Sequence, residues 1–297
     1  DSRWHGKVYL AGGFPRDLML GLDPKDIDLV IDFPEGGIEF AKWITQKLKL
    51  GSPVIFPRFG TAKFTLKNIT HMGQDLSGID IECVMPRTEK YTQGSRKPQV
   101  ASGTLKDDVE RRDFTVNSLL KNLTSGEILD LTGKGKEDIK RGIVRSAIDP
   151  NIIFREDPLR MLRAIRFTVK YGWTLPLFMI KALKANASML KNISSERIQD
   201  ELNKILTSKS PDTGIRLLQM TGLNQYVIPE LDLLVGLKQN KYHKYDANKH
   251  TLEVVKAVPA ELVRRLTALL HDIGKSQTQS VIADEIHFYK HEEVGAK

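Results

Sequence analysis

The stretch from Tyr9 to Asp32, YLAGGFPRDLMLGLDPKDIDLVID, limits what this chain can fold into more than any other. Tyr9, Leu10 and Ala11 form a short apolar run ending at Gly12-Gly13, where a backbone without side chains can bring N–H groups close to an anion. Arg16 to Leu20 is helical in character, so the glycines are expected at a helix N-terminus, an environment that favours phosphate. Arg16 adds a fork of donors suited to phosphate oxygens. In the strand that follows, alternation sets Asp26, Asp28, Val30 and Asp32 on one face and Ile27, Leu29 and Ile31 on the other. Carboxylates two residues apart repel unless a cation lies between them, and hard oxygen ligands suit Mg2+ bridging substrate phosphates. A solvated edge strand would explain the acid pair by itself. The glycine turn ahead of it favours a nucleotide held over metal.

The chain has 297 residues, room for two or more domains, and 40% hydrophobic residues supply an ordinary core. No run of about 18 apolar residues occurs, and the N-terminus shows no basic-plus-apolar signal pattern, so neither a membrane span nor export is expected. A single cysteine, Cys83, forbids an internal disulfide and fits a reducing cytoplasm. Lys plus Arg outnumber Asp plus Glu by 45 to 37, and the resulting net charge of +8 favours a polyanionic partner.

Further along, Glu35 to Leu50 has apolar residues at helical spacing, and Pro53 to Phe56, Thr61 to Leu66 and Ile79 to Val84 read as strands. Asp80 and Glu82 share one face of the last, so either becomes a third acid if that strand lies beside the one carrying Asp26 and Asp28. Pro86 to Leu105 is rich in Gly, Ser, Thr and basic residues and is expected as a mobile loop. In Asp108 to Leu120, the core RRDFTVNSL sets two arginines and an aspartate against an apolar helix. That grouping is either a surface ion network or a carboxylate for a ribose hydroxyl with guanidinium groups for phosphates. Ile128 to Gly135 closes the first domain with a strand and a glycine turn, and helices follow from Asp149-Pro150. Asp157 is placed as an N-cap with Pro158 at the first helical position. Arg160 lies about 60° from it on the helix, with Arg163, Arg166 and Lys170 extending a polar stripe. Ser194 to Leu206 and Pro211 to Gly222 are further amphipathic helices, and His250 and His271-Asp272 belong to a histidine-rich tail.

Together, GGFPRD with DID, RRDFTVN, the Asp130 glycine turn, EDPLRMLRAIRF and SERIQDEL resemble, in order and spacing, the bacterial class II tRNA nucleotidyltransferases, the CCA-adding enzymes, whose superfamily includes bacterial poly(A) polymerases. The resemblance covers nearly the whole chain. It implies an α+β fold: a nucleotidyltransferase head, 1–145, with a mixed β-sheet and helices on one side, then an all-helical neck and body, 146–240, and a partial HD-type helical domain, 241–297. It implies Asp26 and Asp28 as Mg2+ ligands with Glu82 as third catalytic acid. Gly12, Gly13 and Arg16 would hold the triphosphate, with Arg112, Asp113 and Asn117 toward the nucleotide. Asp157 and Arg160, with Arg163 beside them, would act as a protein template for the base. His250, His271 and Asp272 match the first HD metal ligands, and the family's final aspartate is not reached. The implied activity is addition of CMP and AMP, from CTP and ATP, to the tRNA 3′ end. Phe14-Pro15 departs from the family's small residue and valine after the glycines. The competing expectations are an enzyme adding only CC or only A, a poly(A) polymerase, a non-catalytic RNA-binding protein and an HD phosphohydrolase. The poly(A) polymerase lacks its arginine-rich strand in FPRFGTAKF, and the Pro86 to Leu105 loop speaks against the CC-only type.

Overall fold

The computed structural model describes residues 2–24, 26–90 and 99–297. They divide into two compact units, Asp1–Arg141 with Arg145–Asp149, and Gly142–Val144 with Pro150–Lys297. The first begins with β1 (Val8–Leu10), the short helix α1 (Gly13–Met19), β2 (Ile27–Ile31), helix α2 (Gly36–Lys47), β3 (Val54–Phe56) and β4 (Thr61–Thr65). A small pair, β5 (Thr70–His71) and β6 (Gln74–Asp75), precedes β7 (Asp80–Val84), and a ribbon of β8 (Arg87–Lys90) and β9 (Gln99–Ser102) comes next. Helix α3 (Leu105–Glu110), β10 (Leu120–Asn122), β11 (Ile128–Leu129) and α4 (Gly135–Arg141) complete it.

Seven strands form one mixed sheet in the order β11-β10-β1-β2-β7-β4-β3. Its pairings are antiparallel except β2 on β7, where Ile27, Asp28, Leu29 and Val30 stand opposite Ile81, Glu82, Cys83 and Val84. The alternation in β2 is used on both faces. Leu29 and Ile31 join Val8, Leu10, Trp4, Phe40, Ala41, Ala62 and Cys83 in the core under α2. Val30 turns the other way, into a smaller cluster with Tyr9, Ala11, Leu120 and Val109 of α3. A strand buried on both sides is pinned in register, since a slip of one residue would exchange the two sets. Asp28, on the Val30 face, is thereby fixed in direction. Asp26 and Asp32 flank the strand instead of lying within it.

Two expectations are corrected. The segment expected as a mobile loop pairs its flanks as the β8–β9 ribbon, in register from Arg87 opposite Ser102 to Lys90 opposite Gln99. Ladder bonds come from the backbone, so a stretch poor in apolar residues gives little sign of them in its sequence. Arg87 Nη1 anchors the base of the ribbon on the Phe59 carbonyl at 3.0 Å and Thr61 Oγ1 at 3.2 Å. The rest of that expected loop, 91–98, lies outside the described residues. The helix expected across RRDFTVNSL stops at Glu110, before the motif. It starts at a capping box in which Thr104 and Asp107 bond each other's backbone N–H. Asp113 then turns its carboxylate onto the Phe114 N–H at 2.8 Å, and Thr115–Asn117 make a single 3-10 turn. Asp and β-branched residues favour such local alternatives over a continued helix.

The second unit is mainly helical: α5 (Pro150–Glu156), α6 (Leu159–Tyr171), α7 (Leu177–Asn186), α8 (Ser195–Leu206), α9 (Pro211–Thr221), α10 (Ala247–Ala257) and α11 (Leu262–Leu270). Leu162, Ile165, Val169, Leu202, Ile205, Ile215 and Leu218 are buried among them. Its last part also contains a two-stranded ribbon, β12 (Ser280–Ile282) with β13 (Glu285–His287), which the reading of 241–297 as helical did not anticipate. No helix among the described residues is long and apolar enough to cross a membrane.

Helix α2 approaches the sheet through Gly37. A Cβ there would lie 2.6 Å from the Gly60 carbonyl and 2.8 Å from that of Cys83, both backbone atoms that cannot swing aside. Gly37→Ala should therefore lower the unfolding free energy by about 1–3 kcal/mol despite the better helix propensity of alanine. Chemical denaturation measures this, and an unchanged midpoint would mean that α2 does not press on these carbonyls.

Candidate active site

The parallel pairing sets Asp28 directly beside Glu82. Asp28 is half-buried, and that burial raises its pKa above the ordinary carboxylate value, with the charges of Glu82 and Asp26 pushing the same way and Arg112 opposing them. Asp80, the other acid on that strand face, is otherwise engaged. Its oxygens take Thr65 Oγ1 at 2.5 Å and Lys63 Nζ at 2.7 Å, which hold its carboxyl below the usual range. Of the two acids left open by the sequence, Glu82 is the one in register with Asp28.

The glycine turn closes on this pair. The Ala11 N–H donates to the Asp28 carbonyl at 2.9 Å, and Gly12, at φ +67°, has only 3.1 Å between a built Cβ position and Asp28 Oδ2, with Arg112 Nη1 at 3.5 Å. Any larger residue there would press on the carboxylate and adopt a backbone conformation that side chains disfavour. Pro15 falls in the first turn of α1, where its missing N–H has no helical partner to lose, so the Phe14-Pro15 departure is compatible with the turn. Arg16 braces it. Its Nη1 donates to Asn117 Oδ1 at 2.5 Å and its Nη2 pairs with Asp17 Oδ1 at 2.7 Å, while Asn117 Nδ2 donates to Asp113 Oδ1 at 2.9 Å. The start of the chain and the RRDFTVN segment are thus one hydrogen-bonded unit.

Sequence reasoning missed the group that organises the arginines. Asp108 is fully buried on α3 and takes Arg111 Nη2 at 2.6 Å and Arg112 Nη2 at 2.8 Å. Burial pushes its carboxyl up, but Arg112 and Arg111 together outweigh that and hold it below the ordinary range. The helical spacing from Asp108 to Arg111 and Arg112 was the available signal.

In the second unit, Asp157 lies between α5 and α6 and accepts the Leu159 N–H at 3.2 Å, the capping role expected of it, shifted by one residue from the assumed boundary. Arg160 Nη1 is on Glu156 Oε2 at 3.1 Å, and Asp157 Oδ2 is on Arg197 Nη2 at 3.1 Å. Arg197, from the SERIQDEL helix, is a second residue that the sequence did not single out, and nothing local in that helix marks it. Arg163 is half-buried, with its guanidinium 6.0 Å from the centre of the Phe167 ring.

Among the described residues, one group of three metal-capable side chains has ligand atoms within 4.8 Å of one another: His250, His271 and Asp272. The Ala268 carbonyl lies 2.8 Å from His271 Nδ1, which as the N–H donor leaves Nε2 to face Asp272 Oδ2 at 3.1 Å. Asp272 also takes Lys275 Nζ at 2.7 Å and has His291 Nε2 at 3.5 Å. These donors fit a borderline divalent metal. Asp26, Asp28 and Glu82 are not drawn as close together, but an oxygen-only set with a half-buried Asp28 beside a like charge fits a hard cation such as Mg2+.

Known proteins match the same segments. Residues 8–145 match the family described as "Poly A polymerase head domain", and residues 179–234 match "Probable RNA and SrmB- binding site of polymerase A". The first unit is accordingly a head of the nucleotidyltransferase class. The Schizosaccharomyces pombe "tRNA nucleotidyltransferase cca2" is 33% identical over 235 residues, 76% of this chain and 48% of that protein. The Neisseria gonorrhoeae "Multifunctional CCA protein" is 33% identical over 296 residues, 95% and 65% of the two chains. The Thermus thermophilus "CC-adding tRNA nucleotidyltransferase" is 32% identical over 302 residues, 98% and 62%. The crystal structure of the Bacillus stearothermophilus CCA-adding enzyme in complex with CTP aligns with a TM-score of 0.62 at 27% identity, over 85% of this chain and 54% of that one. Residues 8–145 belong to the poly(A) polymerase head-domain family, and along nearly its whole length the chain is similar to tRNA nucleotidyltransferases. It spans between about half and just under two thirds of the length of these relatives.

If Asp28 is a cation ligand, adding millimolar Mg2+ should raise the melting temperature of the wild-type chain, because binding to the folded state alone stabilises it. Asp28→Asn should melt higher than wild type in the absence of divalent ions, having lost a half-buried charge beside Glu82, and gain less on Mg2+ addition. An equal Mg2+ shift in both proteins would remove Asp28 from the ligand set.

Proposed function

We propose that this chain adds CMP and AMP, from CTP and ATP, to the 3′ end of tRNA without a nucleic-acid template. The observation that carries the reading is Asp28 in register with Glu82, against the Gly12 turn and beside Arg112, in a head of this family. Asp26, Asp28 and Glu82 hold Mg2+, which when bound supplies Lewis-acid stabilisation of charge at the α-phosphate. The backbone N–H groups of Gly12 and Gly13 receive the triphosphate. Arg16, committed to Asp17 and Asn117, keeps that turn in shape and lends it positive charge. Arg112, aimed by Asp108, meets the nucleotide together with Asp113 and Asn117. Asp157 and Arg160 read the base, an acceptor-only and a donor-only group that together complement C or A, with Arg163 beside them. The net charge of +8 suits the tRNA backbone, and a cytoplasmic setting suits the buried Cys83, whose thiol is pushed up to about 12 and stays protonated. His250, His271 and Asp272 form a distinct candidate metal site that takes no part in this transfer.

A second reading is addition of CC alone, favoured by the Thermus relative that matches along 98% of this chain. One assay separates the readings: tRNA lacking CCA, labelled CTP and ATP, and sequencing of the product 3′ ends. CCA termini are expected. Termini that stop at CC would establish the second reading, and runs of A would make the chain a poly(A) polymerase. Asp26→Ala and Asp28→Ala should abolish incorporation in folded protein, and normal transfer by both would sink the metal assignment.

A further inference from the structure

One face of α8 carries Arg197 and, one turn on, Glu201. Arg197 Nη2 reaches Asp157 Oδ2 at 3.1 Å and Oδ1 at 3.4 Å, and Glu201 Oε1 accepts Arg166 Nη1 at 2.9 Å. A positive and a negative charge on α8 therefore meet a negative and a positive charge at the start and in the body of the α6 segment. The two pairs differ in burial. Glu201 and Arg166 have side chains 4% and 15% exposed, whereas Arg197 is 50% and Asp157 28% exposed. The inner pair ties the two helices together. The outer pair, screened by water, adds little to stability, and its effect falls on the direction of the Asp157 carboxylate.

Counting acceptor positions shows what that direction does. An ionised carboxylate offers about four lone-pair positions. On Asp157, Oδ1 receives the Leu159 N–H and Arg197 Nη2, and Oδ2 receives Arg197 Nη2. One position, on Oδ2, is left for a ligand. Cytosine and adenine each present an exocyclic amine where uracil and guanine present a carbonyl. We propose that Arg197 is a positioning residue for nucleotide selection, holding Asp157 so that a single fixed acceptor is offered to that amine. This deepens, and rests on, the reading of Asp157 and Arg160 as the base template. Without Arg197 the carboxylate can turn about its own bonds and present either oxygen, and a mobile acceptor tolerates a wrong base better than a fixed one.

The test compares wild type with Arg197→Ala, Arg197→Lys and Asp157→Asn, measuring kcat/KM for each of the four nucleoside triphosphates on RNA lacking CCA, together with the melting temperature. Arg197→Ala should melt close to wild type and lose roughly tenfold in the ratio of CTP to UTP incorporation, the scale of one charge-assisted hydrogen bond. Arg197→Lys should recover part of the ratio, since an ammonium can hold one oxygen but lacks the guanidinium plane. An unchanged ratio in Arg197→Ala, with Asp157→Asn unselective, overturns the inference and leaves the template reading standing. An equal fall for all four nucleotides with a lowered melting temperature also overturns it, as that is a structural role. If Asp157→Asn keeps full selectivity, the template reading itself fails and the inference falls with it.

Discussion

The head depends on one parallel pairing, β2 on β7, inside a sheet whose other pairs are antiparallel. A parallel pair cannot be joined by a tight turn, so the chain between Ile31 and Asp80 must cross over. It does so through α2, which lies on the sheet over Gly37 and fills one face with Phe40 and Ala41. The same pairing brings Asp28 and Glu82 into contact register with no basic group of their own strands between them. Two carboxylates so placed are unfavourable in the folded protein by themselves, and burial of Asp28 adds to the cost. Positive charge is needed to offset that cost, and Arg112 supplies part of it.

Much of the surrounding structure answers that concentration of charge. Arg112 is the cation nearest to Asp28 in effect, and it is not left to find its own position. Asp108, without exposure to water, grips it together with Arg111. A fully buried carboxylate is tolerated because two guanidinium groups share it, and in return both arginines lose most of their freedom. Arg16, Asn117 and Asp113 perform the matching task for the glycine turn, linking residues 101 positions apart in the chain through side chains alone.

How much of this was legible in the sequence depended on whether the determining interaction was local. The strands at Thr61 and Asp80 and the helix at Gly36 follow from periodicity within a few residues, and the structure places them within three residues of their expected bounds. The ambiguity between Asp80 and Glu82 could not be resolved that way, because both point to one face and the decision rests on Lys63 from a neighbouring strand. The β8–β9 ribbon escaped because its pairing is made by backbone groups in a stretch with little apolar pattern. No continuous helix forms in RRDFTVNSL, where the Asp113 side chain competes for the backbone N–H of the next residue. Asp108 was visible as a helical spacing and was passed over. Arg197 was not visible at all, since 40 residues separate it from Asp157.

The two ion pairs of α8 show why charge that stabilises and charge that positions fall in different places. Glu201 is buried and its pair with Arg166 is shielded from solvent, so the attraction is strong and geometry matters for stability. Its second oxygen, Oε2, has no hydrogen-bond partner among the described residues and adds a desolvation cost that the fold carries. Such a pair can lock a helix but can offer nothing to a ligand. Asp157, partly exposed, is too well solvated for its pair with Arg197 to lock anything, yet that solvation is what leaves an acceptor within reach of another molecule. In the template role proposed for Asp157, keeping its orientation while meeting a ligand calls for this intermediate depth, with the rigid pair one turn further in to keep the two helices from moving past each other.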